Sequence, residues 1–152
     1  MTSFQTSNFG TVSYESGAVL DFPRGLPAFE GHHRFLALQY PHAHPLVFLQ
    51  SLEDPALCFI TLPVLAVDSA YRLQVSEEDL LLLGLPAGDQ PRIGEEVLCL
   101  AIVSIQEGGP TVNLLAPIVV NLKSLQGLQA IAPESSYSHQ RALIAEESPV
   151  CS

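Results

Sequence analysis

Val97-Leu98-Cys99-Leu100-Ala101-Ile102-Val103-Ser104-Ile105 is apolar at odd and even positions alike. A strand turns successive side chains to opposite faces, so this run is covered on both sides, as a central strand or as the wall of a barrel. Outward from it, short runs rich in Val, Ile, Leu and Phe alternate with Gly and Pro turn signals, the spacing of many short strands. Residues 11–14 and 18–22 read as a hairpin about Ser16-Gly17, and residues 35–39, 46–50 and 57–62 read as strands. Tyr71, Leu73 and Val75 alternate with Arg72 and Gln74, the pattern of a half-buried strand. Residues 112–115 and 118–121 flank Ala116-Pro117; proline cannot donate to a ladder, which predicts a bulge or an edge there. Residues 128–131 form the last strand of the pattern.

One helix is expected. Ser76 is a good N-cap, Glu77, Glu78 and Asp79 complement the dipole in the first turn, and Gly84 stops the leucine run at 80–83. The leucines then dock on the sheet and the acids face water. The fold read from these elements is mainly β: an antiparallel barrel-like or strongly bent sheet with one short α-helix. Residues 1–132 form a single β domain. Residues 133–152 form a flexible or partly helical C-terminal tail, with weak helical character at 139–147.

With 152 residues, 47% of them apolar and 14% charged, the chain can bury a core. Its net charge is -10, and its six basic residues (Arg24, Arg34, Arg72, Arg92, Lys123, Arg141) are scattered. Nucleic-acid binding needs clustered cations to displace counterions, so direct contact with DNA or RNA is not expected. The acidity either attracts a basic partner protein or serves solubility alone. Cys58 and Cys99 lie in apolar runs and, with Cys151, show no zinc spacing; buried free thiols fit a reducing, cytoplasmic compartment. Residues 1–10 lack an apolar core, so no secretory signal is expected, and no run approaches membrane-spanning length.

No nucleophile motif, phosphate loop or dinucleotide fingerprint is present. The pairs His32-His33 and His42-Ala43-His44 invite a metal reading, since i and i+2 share a strand face. Both His42 and His44 flank prolines in a loop, and no third ligand stands at an obvious position. No catalytic residue, cofactor or metal is therefore expected; a small metal-dependent enzyme using the His-rich loops is the alternative.

Three segments in order carry a resemblance. They are Phe22-Pro-Arg-Gly25-Leu-Pro27-Ala28-Phe29-Glu30, then Phe48-Leu-Gln50-Ser51-Leu-Glu53-Asp54-Pro55, then Asn113-Leu-Leu-Ala116-Pro117-Ile-Val-Val-Asn121. With their spacing, and with the Tyr71 segment running into the acidic leucine helix, they resemble the flagellar assembly factor FliW from about Phe9 to Tyr137. The resemblance implies a cytoplasmic, non-enzymatic β-rich domain. It would bind flagellin, and it would bind and antagonise the RNA-binding translational regulator CsrA, so that flagellin mRNA is translated once flagellin has been exported. A chaperone that binds flagellin alone is the second alternative. Two positions depart from the family: Ala28 replaces a usual Gly, which is a strained choice if that position needs φ > 0, and Phe48 replaces a frequent Trp.

Within these motifs, Gly25, Pro27 and Pro117 are expected to set turns, and Phe29, Leu57 and Phe59 to be core. Gln50, Asn113 and Asn121 carry amides that either satisfy buried backbone at a sheet corner or reach a partner. Glu53 and Asp54 are expected as exposed acids beside a motif strand, facing the partner.

Overall fold

A computed structural model describes residues 2–26, 28–131 and 136–143. Its strands are β1 (Thr2–Thr6), β2 (Gly10–Tyr14), β3 (Leu20–Asp21), β4 (Arg34–Leu38), β5 (Val47–Ser51), β6 (Cys58–Pro63), β7 (Val97–Gln106), β8 (Gly109–Val112), β9 (Ile118–Asn121), β10 (Gly127–Gln129) and β11 (Arg141–Ala142). Two short helices, α1 (Val64–Val67) and α2 (Glu77–Leu82), lie between β6 and β7. The main antiparallel sheet runs β10-β9-β7-β6-β5-β4-β3, with β8 on β7 and β11 on β8. It bends until its two ends touch: Asp21 bridges Gln126, and Asp21 N donates to Leu125 O at 2.9 Å. One bridge is not a ladder, so the architecture is a strongly bent sheet rather than a closed barrel.

β7 is the spine expected of the 97–105 run. Val97, Cys99 and Ala101 face one core, with Tyr71, Leu73, Val75, Leu80 and Leu83 packed over them. Leu98, Leu100 and Ile102 face the other, which holds Phe22, Phe35, Val47, Leu49, Ile118 and Val120. Phe22 and Phe35 meet edge to face at 5.5 Å in that second core, a favoured aromatic geometry.

Several elements differ from the sequence reading. No hairpin forms about Ser16-Gly17. β2 pairs back onto β1 instead, and residues Ser16–Ala18 form a 3-10 turn. The Thr6 hydroxyl makes the earlier turn, donating to Gly10 O at 2.8 Å and accepting from Phe9 N, while Gly10 takes φ 67°. Leu20 is then free to pair with Phe35 and bury itself. Tyr71, Leu73 and Val75 alternate inward as expected, yet no strand among the described residues pairs them. The Gln90 side chain does so in part, its amide accepting from Val75 N at 2.6 Å and donating to Val75 O at 3.0 Å.

The strand expected at 112–115 ends at Val112, because Asn113 Oδ1 captures the N–H groups of Leu115 and Ala116. The bulge expected near Pro117 is present. Asn113 N still donates to Ile102 O, but β9 resumes opposite Leu100 at Ile118, so the chain swells out between the two. A second short helix, α1, follows Pro63 where none was expected. The helical character expected from His139 is absent at 139–143, where a turn leads into β11; the rest of that stretch, and Pro27, lie outside the described residues.

The motif aromatics also move outward. Phe29 is 37% exposed rather than core, and Leu57 and Phe59 are half-buried. Phe29 closes a turn by donating from its N–H to Leu26 O at 2.7 Å. Ala28 holds the third position of that turn with φ 73°. The left-handed region costs a residue with a Cβ about 1–2 kcal/mol, and glycine gives part of that back in chain entropy. Ala28 is exposed, so no packing offsets the strain. Ala28→Gly should therefore stabilise the fold by about 0.5–1 kcal/mol, measured by urea unfolding. A variant no more stable than the parent would show that the turn relaxes around alanine without cost.

Candidate partner-binding surface

The expected contact residues lie on and beside different strands of the bent sheet. Gln50 is fully buried at the end of β5. Its Nε2 donates to Ser51 O, Asp54 O and Pro55 O at 3.0–3.3 Å, while its Oε1 is buried without a partner. The amide therefore pins the loop that follows β5. Ser51 Oγ accepts from the N–H groups of Glu53 and Asp54, and Asp54 Oδ1 accepts from Ala56 N, which complete that loop. Glu53 is exposed, as expected, but one carboxylate oxygen also accepts from His33 N at 2.6 Å and Arg34 N at 3.3 Å. Asp54 is half-buried beside it.

Asn113 follows the end of β8, and Asn121 ends β9. Asn113 closes the bulge already described. Asn121 is buried: its Nδ2 donates to Leu83 O at 2.7 Å, and its Oδ1 accepts from Lys123 N at 2.8 Å and Ser124 N. All three amides are thus engaged with backbone, the first of the two roles left open by the sequence. Glu53 and Asp54 are brought together; Asn113 and Asn121 sit apart from them on other strands.

Two surface features went unread in the sequence. The first is an aromatic groove of about 360 Å³ lined by Asn8, Phe9, Tyr40, His42 and Phe48. Phe9 stacks on Tyr40 at 5.6 Å and meets Phe48 at 5.1 Å. No sequence periodicity links these positions, because the groove exists only once the β1–β2 turn, the turn after β4 and β5 meet. The second is a set of exposed leucines, Leu81, Leu82 and Leu122. Here a signal was available. In a helix, neighbours in sequence point about 100° apart, so four successive leucines cannot all dock on one sheet.

The two described thiols, Cys58 and Cys99, are poorly suited to nucleophilic chemistry. Burial raises Cys58 to about 11 and Cys99 to about 12, and a protonated thiol is a poor nucleophile. Among the described residues, no group of three or more His, Cys, Asp or Glu could hold a metal ion. His42 and His44 are both exposed, and His42 packs against Tyr40. No helix among the described residues is long and apolar enough to cross a membrane.

Comparison with known proteins gives the relationship. A family model described as FliW protein matches residues 3–143. The flagellar assembly factor FliW of Treponema pallidum (strain Nichols) is 33% identical over 147 residues, covering 93% of this chain and 91% of its own. That of Pseudothermotoga lettingae is 36% identical over 138 residues, covering 87% of this chain and 82% of its own. A crystal structure of the flagellar assembly factor FliW superposes with a TM-score of 0.82 at 26% identity, covering 96% of this chain and 99% of that one.

Proposed function

This chain belongs to the FliW family of flagellar assembly factors, and from that premise we propose that it binds flagellin and sequesters a CsrA-type RNA-binding regulator in the cytoplasm, relieving repression of flagellin mRNA. The observation that carries this reading is the match of the family along residues 3–143, the whole of the bent-sheet domain. Charge supports it. An RNA-binding regulator must present Lys and Arg to phosphates, and this chain carries 16 acidic residues against 6 basic ones. Opposite charge raises the encounter rate, and an acidic domain seated on the regulator repels RNA through its field. The role is stoichiometric capture, with no bond made or broken.

Glu53 and Asp54 are proposed among the steering acids. Reversing both, in Glu53→Lys/Asp54→Lys, should slow association with the regulator about threefold to tenfold at low salt, read by stopped-flow or surface resonance. The dissociation rate should change less. An unchanged on-rate removes these two acids from the mechanism. A wild-type on-rate that ignores salt removes electrostatic steering altogether. Co-purification from a flagellated host tests the reading as a whole: flagellin without the regulator would reduce the protein to a flagellin chaperone, and neither partner would refute it.

A further inference from the structure

Helix α2 buries Leu80 and Leu83 in the core beneath it. The opposite face carries Glu77, Glu78, Leu81 and Leu82, with Leu81 68% and Leu82 45% exposed. A surface helix ordinarily places polar groups on that face. The hydrogen bond from Asn121 Nδ2 to Leu83 O ties the end of α2 to the turn after β9, where the next residue, Leu122, is 41% exposed. Single exposed leucines need no explanation. Here three exposed leucines flank one tertiary link.

Beside Leu122 lies a cleft of about 310 Å³, lined by Leu85, Pro86, Glu95, Glu96, Asn121 and Lys123 among others. Leu122 N donates to Glu96 O at 3.0 Å, so Leu122 and the cleft share a wall. Arg92 reaches Glu95 at 3.2 Å and Glu96 at 3.8 Å, but Arg92 and Glu95 are both about two-thirds exposed. Exposed pairs of this kind are weak and exchange readily for another cation. Glu77 and Glu78 add charge in the first turn of α2.

We propose that this face, α2 with Leu122 and the Glu95–Glu96 cleft, is the docking surface for the positively charged protein partner. Its occupant is a polypeptide segment with large apolar side chains flanked by Lys or Arg. The leucines bury the apolar side chains, and the cleft takes a basic side chain, its stem along Leu85 and Pro86 and its charge on Glu95. The carboxylate rim selects against the other apolar-and-charged surfaces a leucine patch could meet, since nucleic acid and anionic membrane would both be repelled. The assignment rests on the capture of a basic partner proposed above, and the test separates the two.

Full-length chain labelled at leucine methyls is titrated with the purified CsrA-type regulator and, separately, with flagellin from the same host. Leu81→Ser/Leu122→Ser should weaken the regulator at least tenfold and Glu95→Lys about threefold, with unchanged melting temperature because these side chains are exposed. Methyl shifts should centre on Leu81, Leu82 and Leu122. Regulator binding that is unchanged in both variants, or shifts confined to the Phe9–Tyr40–Phe48 groove, overturns this surface and leaves the capture reading intact. If the wild-type chain binds neither protein, the capture reading fails and a synthetic probe decides the surface. A peptide with a leucine-rich centre and lysines at both ends should bind, its glutamate-ended counterpart should not, and the leucine variant should lose the first. Equal binding of the two peptides, or none, overturns it.

Discussion

Gly25→Ala is expected to lower stability by about 3–4 kcal/mol and the melting temperature by about 10 °C. Two penalties combine at this position. Gly25 has φ +66°, where any residue with a Cβ is strained by about 1–2 kcal/mol. A Cβ there would also lie 2.5 Å from Glu30 O, 2.6 Å from its Cα and 2.7 Å from its C. These are backbone atoms, so no side chain can rotate out of the way. The loop that must move carries Arg24, paired with Asp79 of α2 at 3.1 Å, and Phe29, packed on Phe59 at 5.4 Å. Relief of the clash therefore disturbs contacts with both α2 and β6.

Gly10 supplies the control. It has nearly the same φ, +67°, but a Cβ there meets nothing within 4 Å. Gly10→Ala should cost only the conformational term, about 0.5–1 kcal/mol once glycine's larger chain entropy is set against the strain. The difference between the two variants, read from urea or thermal unfolding, isolates the steric part. If Gly25→Ala is no worse than Gly10→Ala, the close approach of the Glu30 backbone contributes nothing.

The fold was largely legible because strands covered on both faces are apolar at successive positions, and Gly and Pro turn signals bound each run. β4, β5, β6, β7 and β9 fall within a residue or two of the runs that announced them, and α2 starts at the N-cap expected, with Ser76 Oγ accepting from Asp79 N at 3.1 Å. What could not be read was pairing without apolar pattern. β1 is Thr-Ser-Phe-Gln-Thr and is mostly exposed, so no hydrophobic signal marks it; its stability comes from the ladder with β2. The Tyr71–Val75 segment failed in the opposite way. Its alternation was real, but alternation reports burial and not hydrogen bonding, and a Gln90 amide stands where a strand would be.

The candidate site was legible in its residues and less so in their roles. Composition gave the acidity, and three ordered motifs gave the family. Motif membership cannot separate a residue that touches a partner from one that shapes the chain. Gln50, Asn113 and Asn121 look alike in sequence, as polar residues among apolar ones, and all three spend their amides on backbone groups. Leu81 and Leu82 hid inside a run that looked like core.

Asn121→Ala should cost about 2–4 kcal/mol, the larger share from the Leu83 carbonyl left buried without a donor. The rest comes from the turn, where Lys123 N and Ser124 N lose the Oδ1 acceptor and Leu125, held at φ 62°, loses the support of its neighbours. Asn113→Ala is the comparison. Its oxygen serves two N–H groups in a half-buried bulge, and among the described residues its side chain ties no second element, so about 1 kcal/mol is expected. Equal losses in the two variants would mean that the link to α2 adds nothing. Asn121→Asp refines the point. It keeps the acceptor but sets a carboxylate oxygen against Leu83 O, which disfavours ionisation and raises the folded-state pKa of the new acid. Its deficit should be full at neutral pH and should shrink as pH falls through that raised pKa, because the protonated acid donates again. A pH-independent deficit would deny the donor role. The same variants decide what the residue is for. Asn121 lines the cleft of the proposed docking surface and also ties α2 to β9; if only the tie matters, Asn121→Ala will lose affinity in step with stability, whereas lost affinity at unchanged stability would make it a contact residue as well.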